Sequence, residues 1–512
     1  MVLLVAGSAN AHVGVTDPGS LAVGSGPPLW RAGPSRPGMA RACGLAGPIL
    51  GLLSATMLVG VAGPLQSRAE RQSLGRWLDV TTAPWRVLGW HPALLIAVVL
   101  PTAGLLLAWL LLVSWCWLTP RDRPSWWVAT VVWCGPFVLA VPIFSRDAYA
   151  YVAQGVLVGQ GVDPYRQPVA ALVAHPKVLA AVDPVWRHTL TPYGPVGLRI
   201  EQLFAAAGGD QQEWRSLLAV RLLACAAVAV TACCIWRVAP APYRRVAVSL
   251  WLSPLVLVHL IGAGHLDAML CALLAGSVLA ASRDHPYLAV GLSTLAGEIK
   301  ATGFIFLPVL LLIILHSRGR RVVVQSIASG GLTLALSCAV FVKDPFGWLG
   351  ALSTPATAWD PFTPASTVAL AISEAATHLG GSPSPFVVSL CRLAAAVLGV
   401  IAGTWLLTRY RRNGLPLTCA LLLLDVAMTG PALWPWYLTS SLALLLMTPR
   451  PGAWILVVVT NAIAIFLGLP LHVVPAQRVA ALAELLLLGG VLIAIRVRRA
   501  RQRTPRIETS LA

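Results

Sequence analysis

Charge is what this chain most lacks. Only 11% of its 512 residues are Asp, Glu, Lys or Arg, against about 25% in an average soluble domain. Acids are the scarcer sign, 19 against 37 Lys and Arg, for a net charge of +18. Those cations stand singly between apolar runs instead of gathering on one basic domain, which excludes nucleic acid as a partner. The ten cysteines (Cys43, Cys116, Cys134, Cys225, Cys233, Cys234, Cys271, Cys338, Cys391 and Cys419) contain no CxxC pair and all lie in apolar segments. A zinc site is thereby excluded and structural disulfides are disfavoured. No GxxxxGK[ST] motif occurs, so ATP-driven transport by this chain alone is out. No fixed-period repeat is evident, which weighs against solenoids and duplicated transporters.

What remains is apolar: 57% hydrophobic residues and a mean hydropathy of +0.77. Disorder, collagen and a disulfide scaffold do not fit such a composition. A bilayer core of about 30 Å needs roughly 20 apolar residues per helix. Such runs fall near 41–63, 92–117, 125–144, 215–237, 244–260, 264–281, 322–343, 385–408, 451–470 and 477–496, with shorter ones near 286–299, 301–316, 416–430 and 436–448. The expected fold is an all-α polytopic bundle of about 12–14 spans, with a long helical outer loop after the third.

Alternate junctions are basic: Arg31, Arg36 and Arg41; Arg121 and Arg123; Arg237, Arg244 and Arg245; Arg283; Arg318, Arg320 and Arg321; Arg409, Arg411 and Arg412; Arg450; and six arginines from Arg496 to Arg506. They hold 22 of the 37 cations, so the positive-inside rule makes both termini cytoplasmic in a multi-pass plasma-membrane protein. Anionic headgroups account for the excess charge. The other side receives the loops 64–91, 145–214 and 344–384 and most of the acids, among them Asp147, Asp163, Asp183, Glu201, Asp267 and Asp344. Chemistry or recognition is expected there. Residues 1–38 read as a disordered Gly/Pro/Ser-rich extension, with Met39 as a candidate start. Residues 39–500 read as one transmembrane domain and 501–512 as a basic cytoplasmic tail.

Five clusters could carry chemistry. In VPIFSRDAYAYVAQGVLVGQGVDPY (141–165), Arg146 and Asp147 fall where the third span ends. If the stretch is helical, Asp147, Tyr151 and Gln154 share a face at i, i+4 and i+7. The alternative is a helix N-terminus capped by Ser145 or Asp147, with Tyr149 and Tyr151 as an interfacial belt. In VDPVWRHTLTPYGPVGLRIE (182–201), two prolines flank Tyr193 and Gly194, a stiff turn presenting an aromatic ring, and Trp186, Arg187 and His188 precede it. A rigid loop on lipid and a sugar-stacking surface both fit.

In SPLVLVHLIGAGHLDAMLCALL (253–274), His259 lies within a span, while His265 and Asp267 reach the outer turn, where polar groups are expensive. They form either a structural hydrogen-bonded group or a site, and a metal would lack a third ligand nearby. In GEIKATGFIF (297–306), Glu298 and Lys300 interrupt an apolar stretch near the outer surface. Lys300 could meet a phosphate, or pair with Glu298. In PALWPWY (431–437), Trp434, Trp436 and Tyr437 form either a belt or a sugar platform.

FSRDAYAYVAQG, GVDPY, TPYGP, HLIGAGHLDAM, IKATG and PALWPWY follow one another across residues 144–437. Together they resemble the actinobacterial polyprenol-phosphate-mannose-dependent α-1,6-mannosyltransferases of the MptA/MptB type, in the GT-C glycosyltransferase superfamily. The resemblance implies a polyprenyl-phosphate-mannose donor and a lipomannan, lipoarabinomannan or phosphatidylinositol-mannoside-type acceptor on the outer leaflet. It also implies a catalytic carboxylate in the first large outer loop, here Asp147. Where that family carries an HNE-like stretch, this chain reads His265-Leu266-Asp267, with Leu in place of a polar residue.

A β-linked mannosyl phosphate giving an α-mannoside requires one inverting displacement. Asp147 would take the proton of the attacking hydroxyl, and Lys300, or else Arg146, would face the departing phosphate. Tyr149, Tyr151, Gln154, Tyr193, His265, Asp267 and Trp436 are the expected substrate contacts. No metal site is expected, although a divalent cofactor stays open. Two rivals stand beside this reading. One is a GT-C enzyme using another polyprenol-phosphate sugar. The other is a secondary transporter or lipid-carrier flippase, for which Asp425 and Glu484 would suit ion coupling.

Overall fold

A computed structural model of the chain describes residues 37–65, 91–118, 126–209, 213–341, 344–354, 363–378, 385–448 and 450–467. The expected span 477–496, the tail, Glu484 and nearly all of the N-terminal extension lie outside the described residues. Within them all regular structure is helical, with no strand.

The first three helices, α1 (Pro37–Leu65), α2 (His91–Leu118) and α3 (Trp126–Leu139), fall on the first three expected spans. The long loop that follows contains α4 (Asp147–Gly159), α5 (Pro176–Ala181), α6 (Pro184–Arg187) and α7 (Pro195–Gly208). Proline opens the last three, as its fixed φ and missing N–H favour. Next come α8 (Glu213–Val238), α9 (Arg244–Trp251), a π-helical turn over Val256–Gly262, α10 (Asp267–Ser282) and α11 (Pro286–Ile299). A 3-10 turn, Ala301–Ile305, leads into α12 (Phe306–Phe341). The remainder is α13 (Pro364–His378), α14 (Pro385–Thr408), α15 (Tyr410–Asn413), α16 (Leu415–Thr429), a 3-10 turn at Pro435–Leu438, α17 (Thr439–Leu446) and α18 (Pro451–Leu467).

Among the described residues, four segments are long and apolar enough to cross a membrane: Val98–Trp117, Glu213–Val238, Ala301–Ala339 and Phe386–Thr408. A fifth forms if Ala241–Trp251 and Val256–Gly262, bent by 61° at Ser253-Pro254, count as one broken span. Several of the other expected spans appear as shorter apolar helices, including Trp127–Leu139, Asp267–Ser282 and Leu415–Thr429. The segment 301–339 is itself broken at Gly319, whose φ of +81° is left-handed, among Arg318, Arg320 and Arg321.

Packing follows solvent preference turned inside out. On α14, Phe386 is 71% and Val400 70% exposed, a surface suited to lipid. Many polar atoms are instead satisfied inside. Trp109, Trp133 and Trp251 are buried, and their indole N–H groups donate to Ser249 O (2.8 Å), Pro48 O (2.9 Å) and Val228 O (3.1 Å). These bonds tie α1 to α3, and α9 to both α2 and α8.

The bundle has two chemically different ends. At one, Arg318 pairs with Asp284, Tyr410 Oη bonds His316, and Arg450 donates to Arg412 O at 2.7 Å. The basic turns at 283–285, 316–321, 409–414 and 450 therefore meet. Helices α10 and α11, of 16 and 14 residues, run from there about 21–24 Å at 1.5 Å per residue. They deliver Asp267 and Lys300 to the opposite end, beside Asp147 and Trp436.

Candidate active site

Asp147 opens α4 because Phe144, at φ +58°, breaks the chain after α3 and turns it back. The Asp147 amide donates to Ser145 Oγ at 3.2 Å, so serine serves this turn as an acceptor while the aspartate side chain stays clear of helix capping. Each carboxylate oxygen has its own contact. Trp186 Nε1 of α6 donates to Oδ1 at 3.0 Å, and His265 Nδ1 lies 3.4 Å from Oδ2. The Asp147 side chain is 14% exposed and that of His265 fully buried. Burial pushes the Asp147 carboxyl upward, but the hydrogen bond and charge of His265, with Trp186 and Ser145, outweigh it and hold its pKa below the ordinary carboxylate value.

A cleft enclosing about 470 Å³, its open mouth included, runs along α4. Asp147, Tyr151 and Gln154 form one wall, and Trp186, Tyr193, Trp434, Trp436 and Tyr437 much of the rest. The i, i+4, i+7 face is thus the face on the cleft. Gln154 accepts from Thr191 Oγ1 at 2.9 Å. The Tyr193 hydroxyl donates to that of Tyr151 at 3.3 Å, their rings edge to face at 5.4 Å. Burial and nearby carboxylates push both phenols well above the ordinary tyrosine value, so they remain protonated donors.

Rings line the far side in a continuous series. The His265 imidazole stacks on Trp436 at 3.7 Å and 16°, and Trp436 stacks on Trp434 at 5.3 Å and 7°. Tyr437 meets Trp436 edge-on at 6.0 Å, and Lys300 Nζ lies 3.8 Å from the Tyr437 ring centre. Lys300 is extended (φ −147°, ψ 128°), so it projects away from Glu298 and pairs with Asp267 at 2.8 and 3.0 Å. The alternative Glu298–Lys300 pair does not form.

Eight of the ten site residues expected from sequence, namely Asp147, Tyr151, Gln154, Tyr193, His265, Asp267, Lys300 and Trp436, come together here. Two point elsewhere. Tyr149 is 4% exposed on the opposite side of α4, near Arg221. The Arg146 guanidinium donates to Ala180 O and Ala181 O at 2.9 Å, holding the end of α5. Sequence reasoning passed over Trp186 and Tyr437 as site residues, although both lay inside clusters it singled out. Among the described residues no group of three or more His, Cys, Asp or Glu gathers as a metal site would. Asp425 is buried in α16, away from the cleft.

A carboxylate, an ammonium and a run of indole and phenol rings, converging at one end of an apolar helical bundle, define a multi-pass membrane protein with a carbohydrate-compatible cleft. A family profile described as alpha-(1->6)-mannopyranosyltransferase, N-terminal domain, matches residues 41–316, and one for glycosyltransferase family 87 matches residues 211–433. The chain belongs to the first of these families. Over 330 residues it is 30% identical to alpha-(1->6)-mannopyranosyltransferase A of Mycobacterium tuberculosis, covering 61% of this chain and 63% of that relative. With the protein of the same name from Corynebacterium glutamicum it shares 27% identity over 348 residues, 63% of this chain and 70% of the relative. Alpha-(1->6)-mannopyranosyltransferase B of the latter organism is 30% identical over 228 residues, 40% of this chain and 37% of the relative. The chain thus spans just under two thirds of the length of the M. tuberculosis relative. No solved structure matches it.

Proposed function

We propose that this chain moves mannose from a polyprenyl-phosphate carrier to a hydroxyl of a growing α-1,6-mannan, of lipomannan, lipoarabinomannan or phosphatidylinositol-mannoside type. The observation that carries the reading is Asp147, its pKa lowered, on the wall of an aromatic cleft whose lining ring Tyr437 also holds Lys300 Nζ 3.8 Å from its centre. The relatives' names point to the same transfer.

The acceptor hydroxyl attacks the anomeric carbon as its proton passes to Asp147, and the bond from that carbon to the phosphate oxygen breaks on the opposite face. One displacement inverts the centre, so a β-phosphate yields an α-mannoside. Charge accumulates on the departing lipid phosphate, and Lys300 meets it. The indoles of Trp434 and Trp436 offer flat apolar faces for sugar rings. Tyr151, Tyr193 and Gln154 supply hydroxyl and amide partners. The positive-inside rule applied to the arginine-rich turns supports a cytoplasmic opposite end of the bundle, with the cleft facing outward and both termini inside.

Membranes carrying the protein, given radiolabelled polyprenyl-phosphate-mannose and a short α-1,6-mannoside, test the reading. Linkage analysis should return an added α-1,6-mannose. A different sugar transferred from its polyprenyl phosphate, with mannose refused, would overturn the choice of donor. Movement of the lipid across the bilayer with no glycosidic bond formed would overturn the reaction.

A further inference from the structure

His265 is placed by a costly piece of backbone. Gly264 adopts φ +78°, and a Cβ there would meet Val220 Cγ1 at 2.7 Å. The π-turn before it supplies two carbonyls to the same corner. His259 O accepts the His265 amide at 3.4 Å, and Gly262 O accepts both Ile143 N (3.4 Å) and the Arg221 guanidinium (3.2 Å). Since Ile143 leads into Phe144 and Asp147, the loop carrying His265 is bonded directly to the loop carrying the carboxylate. Single-turn π segments and left-handed non-glycine residues such as Phe144 concentrate where function demands a particular side-chain position.

The imidazole spends its atoms unevenly. Nδ1 faces Asp147 Oδ2 at 3.4 Å and the Tyr151 hydroxyl at 3.5 Å, whereas the buried Nε2 has no hydrogen-bond partner. A bare acceptor is cheaper to bury than a bare N–H, so a proton on Nδ1, aimed at the carboxylate oxygen 3.4 Å away, fits these surroundings. Trp186 donates to the other oxygen, so the carboxylate is bracketed by the indole and the imidazole. The remaining lone pairs are left for the cleft.

We propose that His265 is the positioning residue of Asp147: its Nδ1–H orients the carboxylate while Trp436 holds the ring flat. The kinetic consequence rests on the mannosyl transfer proposed above; the pairing itself can be read without turnover. The other titratable or charged groups around the pair are the Tyr151 and Tyr193 phenols, the His259 imidazole stacked 6.3 Å behind His265, the Lys300–Asp267 pair, and Arg146 on the Asp147 turn. None of these is altered by the substitutions below.

Two substitutions separate the donor from the ring. In His265→Asn the side-chain amide nitrogen replaces Nδ1 and the ring is lost; in His265→Phe the ring stays on Trp436 and the donor is lost. Full-length protein in nanodiscs is labelled with a carbodiimide, which reacts with protonated carboxyls, and modification of Asp147 is followed by mass spectrometry across pH. H265F should raise the labelling midpoint by about one pH unit, and H265N should keep it near wild type. In the transfer assay H265F should lower kcat about tenfold to a hundredfold with donor KM little changed, and move the acid limb of the profile upward. H265N should retain most of the rate. An unshifted midpoint in H265F, or an H265N protein as impaired as H265F, would overturn the proposal. His265→Leu serves as the donor-free variant if H265F does not accumulate. A wild-type protein that transfers no mannose, yet shows the midpoint shift in H265F, would sink the proposed reaction and leave the pairing standing.

Discussion

Lys300 reaches Asp267 through both carboxylate oxygens, at 2.8 and 3.0 Å, while its ammonium lies 3.8 Å from the centre of the Tyr437 ring. The cation proposed to meet a departing phosphate is thus held in place before any phosphate arrives. Asp267 is nearly buried and Lys300 only 17% exposed, so neither can lose its partner cheaply. Lys300→Met should cost about 3 kcal/mol by stranding Asp267. Adding Asp267→Asn should return most of that stability without returning transfer, because the phosphate would still lack its cation. Thermal melting of the two variants, read beside their transfer rates, checks both halves.

The depressed pKa of Asp147 has a definite sign. A carboxyl lowered in the folded state is ionised at and below neutral pH, so kcat/KM should stay level from pH 7 to about 5 and fall only beneath the ordinary value near 3.9. Its contribution to stability runs the same way, full above the unfolded value and lost as pH drops through the folded one. A pH–rate profile with an acid limb near neutrality would contradict this.

Glu201, on α7, behaves oppositely. It is fully buried with no partner at either oxygen, and burial holds its pKa well above the ordinary glutamate value. The folded state binds the extra proton, so stability falls as pH rises above about 4.3, the unfolded value. Glu201→Gln should match wild type in melting at pH 4 and exceed it at pH 8.

Gly194 lets the TPYGP turn sit against α11. A Cβ there would meet Glu298 O at 2.2 Å, so Gly194→Ala should displace Tyr193 from Tyr151, lower the melting temperature and reduce transfer more than tenfold. Gly159→Ala, where a Cβ meets nothing within 4 Å, should stabilise by about 0.5 kcal/mol at most, being at the helix end. Comparing the two isolates the close approach from the loss of a glycine.

Much of this was legible in the sequence because long apolar runs admit few structures. The helices at 91–118, 213–238 and 385–408 lie where hydropathy alone puts them, and the period of α4 places Asp147, Tyr151 and Gln154 on one face. Partner choice was not legible. Glu298 is two residues from Lys300 in sequence, but the chain changes from helix to extended between them and the ammonium finds Asp267 instead. Arg146 adjoins Asp147, yet carbonyls at the end of α5 draw its guanidinium away. The Asp147–His265 contact joins positions 118 residues apart, through two loops whose left-handed residues, Phe144 and Gly264, leave no periodic trace. Helix α13 lies within what hydropathy reads as the second outer loop, 344–384.

In the proposed transfer, Asp147 receives the proton of the attacking hydroxyl. Asp147→Asn preserves shape and the Trp186 contact while removing the base. Transfer from radiolabelled polyprenyl-phosphate-mannose to a short α-1,6-mannoside should fall by at least about a hundredfold in membranes, with unchanged amounts of protein and little change in donor binding. Wild-type rates from that variant would contradict the account.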